Sequence, residues 1–130
     1  MSEQLHILVV EDEPSMQVLL RHHLKRAGFH VTLVPNGLEA KELLGREKFD
    51  LICSDVMMSG IDGIELCRWA KAVESLRNTP FVLLSSRAQH MDRELGIDAG
   101  ADFYLTKPFD VKELLDSLKG LTNEGNSAKS

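Results

Sequence analysis

The 130 residues amount to one domain's worth of chain, long enough to bury roughly two-thirds of its unfolded surface. A hydrophobic fraction of 43%, a charged fraction of 27% and a net charge of −5 fit an ordinary folded protein. They argue against a general nucleic-acid or anionic-membrane binder, which would carry a basic patch.

Apolar runs then alternate with amphipathic stretches from one end to the other. "HILVV" (6–10) is short, continuous and β-branched, as a strand buried on both faces should be. "PSMQVLLRHHLKRAG" follows, with Met16, Leu19, Leu20, Leu24 and Ala27 recurring at helical spacing, Pro14 near its start and Gly28 at its end. "HVTLV" (30–34) is a second strand, and Asn36 is placed to cap the helix "NGLEAKELLGRE". Strand "LICS" (51–54) leads to helix "GIELCRWAKAVES", with Leu66, Cys67, Ala70 and Val73 facing inward and Trp69 off that stripe. That leaves Trp69 either lying on the helix shoulder or contacting a partner. Strand "FVLLS" (81–85), helix "QHMDRELGIDAG", strand "FYLT" (103–106) and helix "DVKELLDSLKGL" complete the series. Asp110 and Glu113 make a capping-box pattern for the last helix.

Five strands alternating with five helices predict an α/β fold, a parallel sheet doubly wound through right-handed crossovers. The domain is expected over 1–121, with 122–130, "TNEGNSAKS", as a flexible tail or the start of a linker. No apolar run approaches the roughly 18 residues of a membrane span. "MSEQLH" lacks the flank and core of an export signal. Cys53 and Cys67 have neither metal-type nor redox-type spacing and suit a reducing compartment. The expectation is a cytoplasmic chain with no membrane contact and no direct nucleic-acid binding. His22, His23, His30 and His90 have no metal-type partners.

In an open parallel sheet, function collects beyond the carboxyl ends of the strands. Strand 1 is followed by Glu11, Asp12 and Glu13, strand 3 by Asp55, strand 4 by Ser85 and Ser86, and strand 5 by Lys107-Pro108. Any one of these is an ordinary cap or turn residue. Together they place carboxylates, a hydroxyl and a lysine at one edge. Crowded carboxylates raise one another's pKa values unless a cation joins them, and hard oxygen ligands with a small gap suit Mg²⁺. Lys107 and Ser85 could then hold phosphate oxygens. Phosphoryl transfer needs mainly such positioning and neutralisation, and a lone carboxylate such as Asp55 can be its acceptor.

The stretches "VVEDEP", "DLICSDVMMSGIDG", "PFVLLSSR" and "AGADFYLTKPF" together resemble the response-regulator receiver domain of two-component signalling, the CheY-like family, over about residues 5–121. The resemblance implies a flavodoxin-like (βα)5 fold with that family's strand order, 2-1-3-4-5. It implies Asp55 as phosphoacceptor, and Mg²⁺ (or Mn²⁺ as a substitute) on Glu11, Asp12, Asp55 and the backbone carbonyl of Met57. Lys107, Ser85 and the adjacent Ser86 would contact the phosphoryl group. Ser85 and Tyr104 would form the switch, Met57 and Arg87 would tune the phosphoryl lifetime, and Pro108 would follow a cis bond. The implied donor is a phosphohistidine on a sensor histidine kinase or phosphotransfer protein. The implied outputs are a downstream target protein or an attached output domain, with phosphorylation-dependent dimerisation through the last helix and strand. A receiver acts as a regulated acceptor, and not as an enzyme on other molecules. Ser59 departs from the family's usual proline in this turn, and Ser86 from its usual alanine.

Three other readings compete. A receiver-like module binding partners without phosphorylation would not need every site position filled by a competent residue. A haloacid-dehalogenase-type phosphatase wants a second Asp where Met57 stands. A flavodoxin would need a phosphate loop where Glu11-Asp12-Glu13 would repel the flavin phosphate.

Overall fold

The computed structural model describes residues 4–85 and 90–127. Its elements are β1 (His6–Val10), α1 (Pro14–Arg26), β2 (His30–Val34), α2 (Gly37–Leu44), β3 (Leu51–Asp55), α3 (Gly63–Ala72), β4 (Phe81–Ser85), α4 (His90–Asp98), β5 (Phe103–Thr106) and α5 (Val111–Ser127). All strand pairs are parallel and the order is β2-β1-β3-β4-β5, as the resemblance implies. The strand order reverses around β1, so the edge beyond β1 and β3 is the topological switch point.

The alternation of side chains along each strand divides the core in two. Ile7, Val9, Leu51, Cys53, Val82, Leu84 and Leu105 pack under Leu20 and Leu24 of α1 and Leu114 and Leu118 of α5. Leu8, Val10, Ile52, Phe81 and Leu83 point the other way, against Ala40 and Leu44 of α2 and Leu66, Cys67 and Ala70 of α3. The three central strands are buried on both faces, which is why they read as unbroken apolar runs.

Local packing and capping add detail that spacing alone does not carry. Leu19 is 38% exposed, so the inward stripe of α1 is narrower than the apolar spacing suggests. The capping box forms on α3, where Asp62 accepts from the Glu65 amide at 2.8 Å and Glu65 from the Asp62 amide at 3.2 Å. At α5, Asp110 Oδ1 instead accepts from the Lys112 amide at 3.0 Å. That helix runs six residues beyond Leu121, to Ser127; Thr122 bonds its own preceding turn at Leu118 and Lys119. Trp69 is half-buried on the α2–α3 side of the core, with the Lys41 ammonium 5.1 Å from its ring centroid. His6 stacks on His30 at 4.2 Å across β1 and β2. Burial and the neighbouring His30 lower the His6 pKa against the opposing pull of Glu47 and Asp50.

The far edge of the sheet is tied by one lysine. α3 stops where Val73 turns extended, and Lys71 Nζ donates to Arg77 O at 3.1 Å, Thr79 O at 2.9 Å and Asp102 Oδ2 at 3.0 Å. Asp102 Oδ2 also accepts from the Phe81 amide at 2.8 Å, fixing β4 against the approach to β5. Lys71→Met keeps the aliphatic stem but strands three acceptors. It should lower unfolding stability by about 1–3 kcal/mol, read from the urea midpoint at constant m-value. An unchanged midpoint would show that water replaces the ammonium there without cost.

Candidate functional site

Glu11 directly follows β1 and prolongs its ladder, its amide donating to Val34 O at 3.0 Å. Its side chain is completely buried, and Gln17 Nε2 of α1 donates to its carbonyl at 2.6 Å. Glu13 has a different task. It is the N-cap of α1, accepting from the Met16 amide at 3.2 Å and from the Ser15 hydroxyl at 2.5 Å. The acidic run is thus divided: Glu13 caps, while Glu11 and Asp12 are left at the sheet edge.

Asp55 closes β3 and is 6% exposed. The next amide, Val56, still donates to Leu84 O at 2.8 Å, so the carboxylate stands on a rigid strand end. From the other side comes Lys107, whose amide donates to Ser85 O, joining the ends of β4 and β5. Its ammonium lies 3.1 Å from Asp55 Oδ1 and 3.3 Å from Glu11 Oε1. Oxygens of Glu11, Asp12 and Asp55 all lie within 4.8 Å of one another, with Asp12 exposed and the other two buried.

Desolvation governs the electrostatics. Burial pushes the Glu11 carboxyl above its ordinary range, Asp55 adds to that, and Lys107 opposes it. Burial also raises Asp55; Lys107 opposes this by charge and hydrogen bond, and Asp12 adds to it. Burial alone would lower the Lys107 ammonium, but Asp55 and Glu11 outweigh it and hold its pKa above the usual value. Three carboxylates face one ammonium, so the cluster carries excess negative charge that a divalent cation would neutralise. The donor set, oxygen only and partly open to solvent through Asp12, fits Mg²⁺, which keeps several of its waters.

Ser85 is buried at the end of β4, one residue beyond Leu84, the register partner of Asp55. Tyr104 is buried in β5 opposite Leu83, and the Arg93 guanidinium lies 5.8 Å from its ring centroid. α4 makes room for that ring with Gly96, where a Cβ would fall 3.0 Å from Tyr104 Cδ2 and 2.9 Å from Leu83 Cδ1. Met57, two residues beyond Asp55, is 65% exposed, and the Lys107–Pro108 peptide bond is cis. Ser86 and Arg87 lie outside the described residues.

Comparison with known proteins shows the family. The family model described as "Response regulator receiver domain" matches residues 7–119. The chain belongs to the response regulator receiver family. It is 39% identical over 115 residues to the transcriptional regulatory protein GltR of Pseudomonas aeruginosa, covering 88% of this chain and 48% of that protein. The chain therefore spans about half the length of the curated relatives it matches. Among solved structures, the signal receiver domain of a histidine kinase from Syntrophus aciditrophicus is 38% identical with a TM-score of 0.87, covering 92% of this chain and 91% of that one. A receiver domain of a Pseudomonas aeruginosa sensor histidine kinase is 34% identical with a TM-score of 0.85, covering 92% and 98%. That structure holds a magnesium ion coordinated in its active-site cleft. Phosphorylation signalling is the general function of the family. No helix among the described residues is long and apolar enough to cross a membrane.

The raised carboxyl pKa values have a thermodynamic consequence in metal-free protein. A group whose folded pKa exceeds its unfolded value stabilises the fold when protonated, and that stability is lost as pH rises through the folded pKa. Where Asp55 and Glu11 are ionised, the fold therefore bears their desolvation as a cost. Asp55→Asn should raise unfolding stability in chelator, because it removes the buried charge while Glu11 remains to hold Lys107, with the gain shrinking as pH falls towards the ordinary carboxylate range. A less stable Asn variant at pH 7 would mean that the Lys107 pair outweighs desolvation.

Proposed function

We propose that this receiver domain is a phosphorylation-activated switch. Asp55 accepts a phosphoryl group from a phosphohistidine on a sensor histidine kinase or phosphotransfer protein, in a reaction that requires Mg²⁺. The observation that carries this reading is the Lys107 ammonium seated between the buried Asp55 and Glu11 carboxylates, with Asp12 beside them.

Glu11, Asp12, Asp55 and the Met57 carbonyl would hold the cation, for which Mn²⁺ can substitute. When bound, it supplies charge neutralisation to the carboxylates and to the phosphoryl oxygens. An Asp55 oxygen attacks phosphorus, the bond from phosphorus to the donor imidazole nitrogen breaks, and the electron pair leaves with the imidazole. Lys107 follows the growing negative charge on the phosphoryl oxygens. The Ser85 hydroxyl, aided by Ser86 next in the chain, donates to another of these oxygens. Asp55 must be ionised to attack, and the Lys107 contact opposes the upward push of burial on its pKa.

The modified aspartate has more charge and more acceptor oxygens than the carboxylate it replaces. Movement of Ser85 towards them makes room on the Tyr104 side, and the ring position changes the surface of α4, β5 and α5. Leu95, Ile97 and Phe103 are exposed on this surface, which suits a docking target, an attached output domain or a phosphorylation-dependent dimer. The receiver unit is taken as 1–121, and 122–130 as a tail or linker whose first part continues α5. Met57 and Arg87 tune the phosphoryl lifetime. The domain assists its own phosphorylation and hydrolysis and is not otherwise an enzyme; its place is the cytoplasm.

Incubation with acetyl phosphate and Mg²⁺ should add one phosphoryl group to the intact mass. Asp55→Asn or excess chelator should abolish the gain, and Lys107→Met should slow it about a hundredfold. A wild-type chain that stays unmodified with donor and Mg²⁺ present overturns the switch.

A further inference from the structure

The end of β3 contains a polar residue that the proposed chemistry leaves without a task. Ser54 is completely buried in an otherwise apolar stretch, on the face shared by Ile52 and Val56 and covered by α2 and α3. A hydroxyl there is costly unless it is hydrogen-bonded, and it donates at 2.9 Å to the Asp55 carbonyl. The same oxygen is approached from α3. A Cβ on Gly63 would lie 2.1 Å from Asp55 O, 2.9 Å from its carbonyl carbon and 3.0 Å from Val56 Cα. The first residue of α3 thus rests directly on the Asp55–Val56 peptide, a position open only to a residue without a side chain.

The neighbouring groups are tied in the same way. The Val56 amide donates to Leu84 O at 2.8 Å, and the Gly63 amide donates to Val56 O at 2.9 Å. Two consecutive peptide units are therefore held on several sides just before Met57. We propose that Ser54 and Gly63 are positioning residues that fix the Asp55–Val56 peptide and thereby aim the Asp55 carboxylate and the Met57 carbonyl at the divalent cation. This rests on the function proposed above. It assigns part of the site's precision to the floor beneath it, where neither residue touches metal or phosphate.

The test is the Mg²⁺ dissociation constant of the whole chain, measured calorimetrically with the metal alone, beside the phosphorylation rate from acetyl phosphate at saturating Mg²⁺. Partners behind metal ligands typically change affinity about 10–100-fold. Ser54→Ala should weaken Mg²⁺ about tenfold and Gly63→Ala about a hundredfold, with native far-UV circular dichroism. Leu44→Ala, a cavity at the C-terminal end of α2, destabilises without touching this peptide, so its Mg²⁺ affinity should stay within about twofold of wild type. If Gly63→Ala fails to fold, Ser54→Ala against Leu44→Ala still decides. Wild-type affinity in Ser54→Ala overturns the proposal, as does equal weakening in Leu44→Ala. A wild-type chain that neither binds Mg²⁺ nor takes phosphate overturns the underlying function instead.

Discussion

An ammonium 3.1 Å from one buried carboxylate and 3.3 Å from another constrains the whole carboxyl edge of the sheet. Removing the ammonium would leave two carboxylates out of water with no counter-charge, which costs far more than the pairs contribute. Lys107 is therefore held at this edge, and its main-chain bond to Ser85 carries the constraint to β4. Glu11, Asp55, Ser85 and Lys107 come from four different strand ends, so every parallel pairing between them has to hold register for the cluster to exist. A slip of one residue would turn Asp55 to the opposite face of the sheet.

The same cluster is unfinished as an electrostatic object. One lysine cannot balance Glu11, Asp12 and Asp55, and burial raises the two interior carboxyls despite its presence. Stability has been given up at one edge while the three central strands are packed on both faces with mostly apolar side chains. Sites that bind charged ligands commonly show this imbalance, since a complete charge balance would leave nothing for the ligand to satisfy.

Legibility in the sequence follows the range of the interaction. The strands are short apolar runs, and the topology rule for parallel sheets places their ends together, so Glu11, Asp12, Asp55, Ser85 and Lys107 converge on the strength of pattern alone. Capping was harder, because Asp62-x-x-Glu65 and Asp110-x-x-Glu113 show the same pattern, yet the reciprocal bonds are found at the first. Leu19 falls at helical spacing yet stays partly exposed, because spacing does not say how wide a stripe the sheet can cover. Ser54 and Gly63 were silent. A serine in a strand and a glycine opening a helix are ordinary until the helix is seen to sit on the Asp55 carbonyl. Close approach between elements leaves no periodic signal.

Those silent contacts bear on the turn between them. Residues 57–62 leave the Asp55–Val56 peptide and return to it at Gly63, so the loop is closed at its base by the Gly63–Val56 hydrogen bond. Ser59 lies at its exposed tip, where it lacks the fixed φ that the proline usual in this family would supply. Loosening at the tip need not reach Asp55, because a loop pinned at its base transmits little of its motion to the strand end. In the proposed switch, Asp55 keeps its aim from the floor beneath it, and the turn above is left to set how freely water and donor enter.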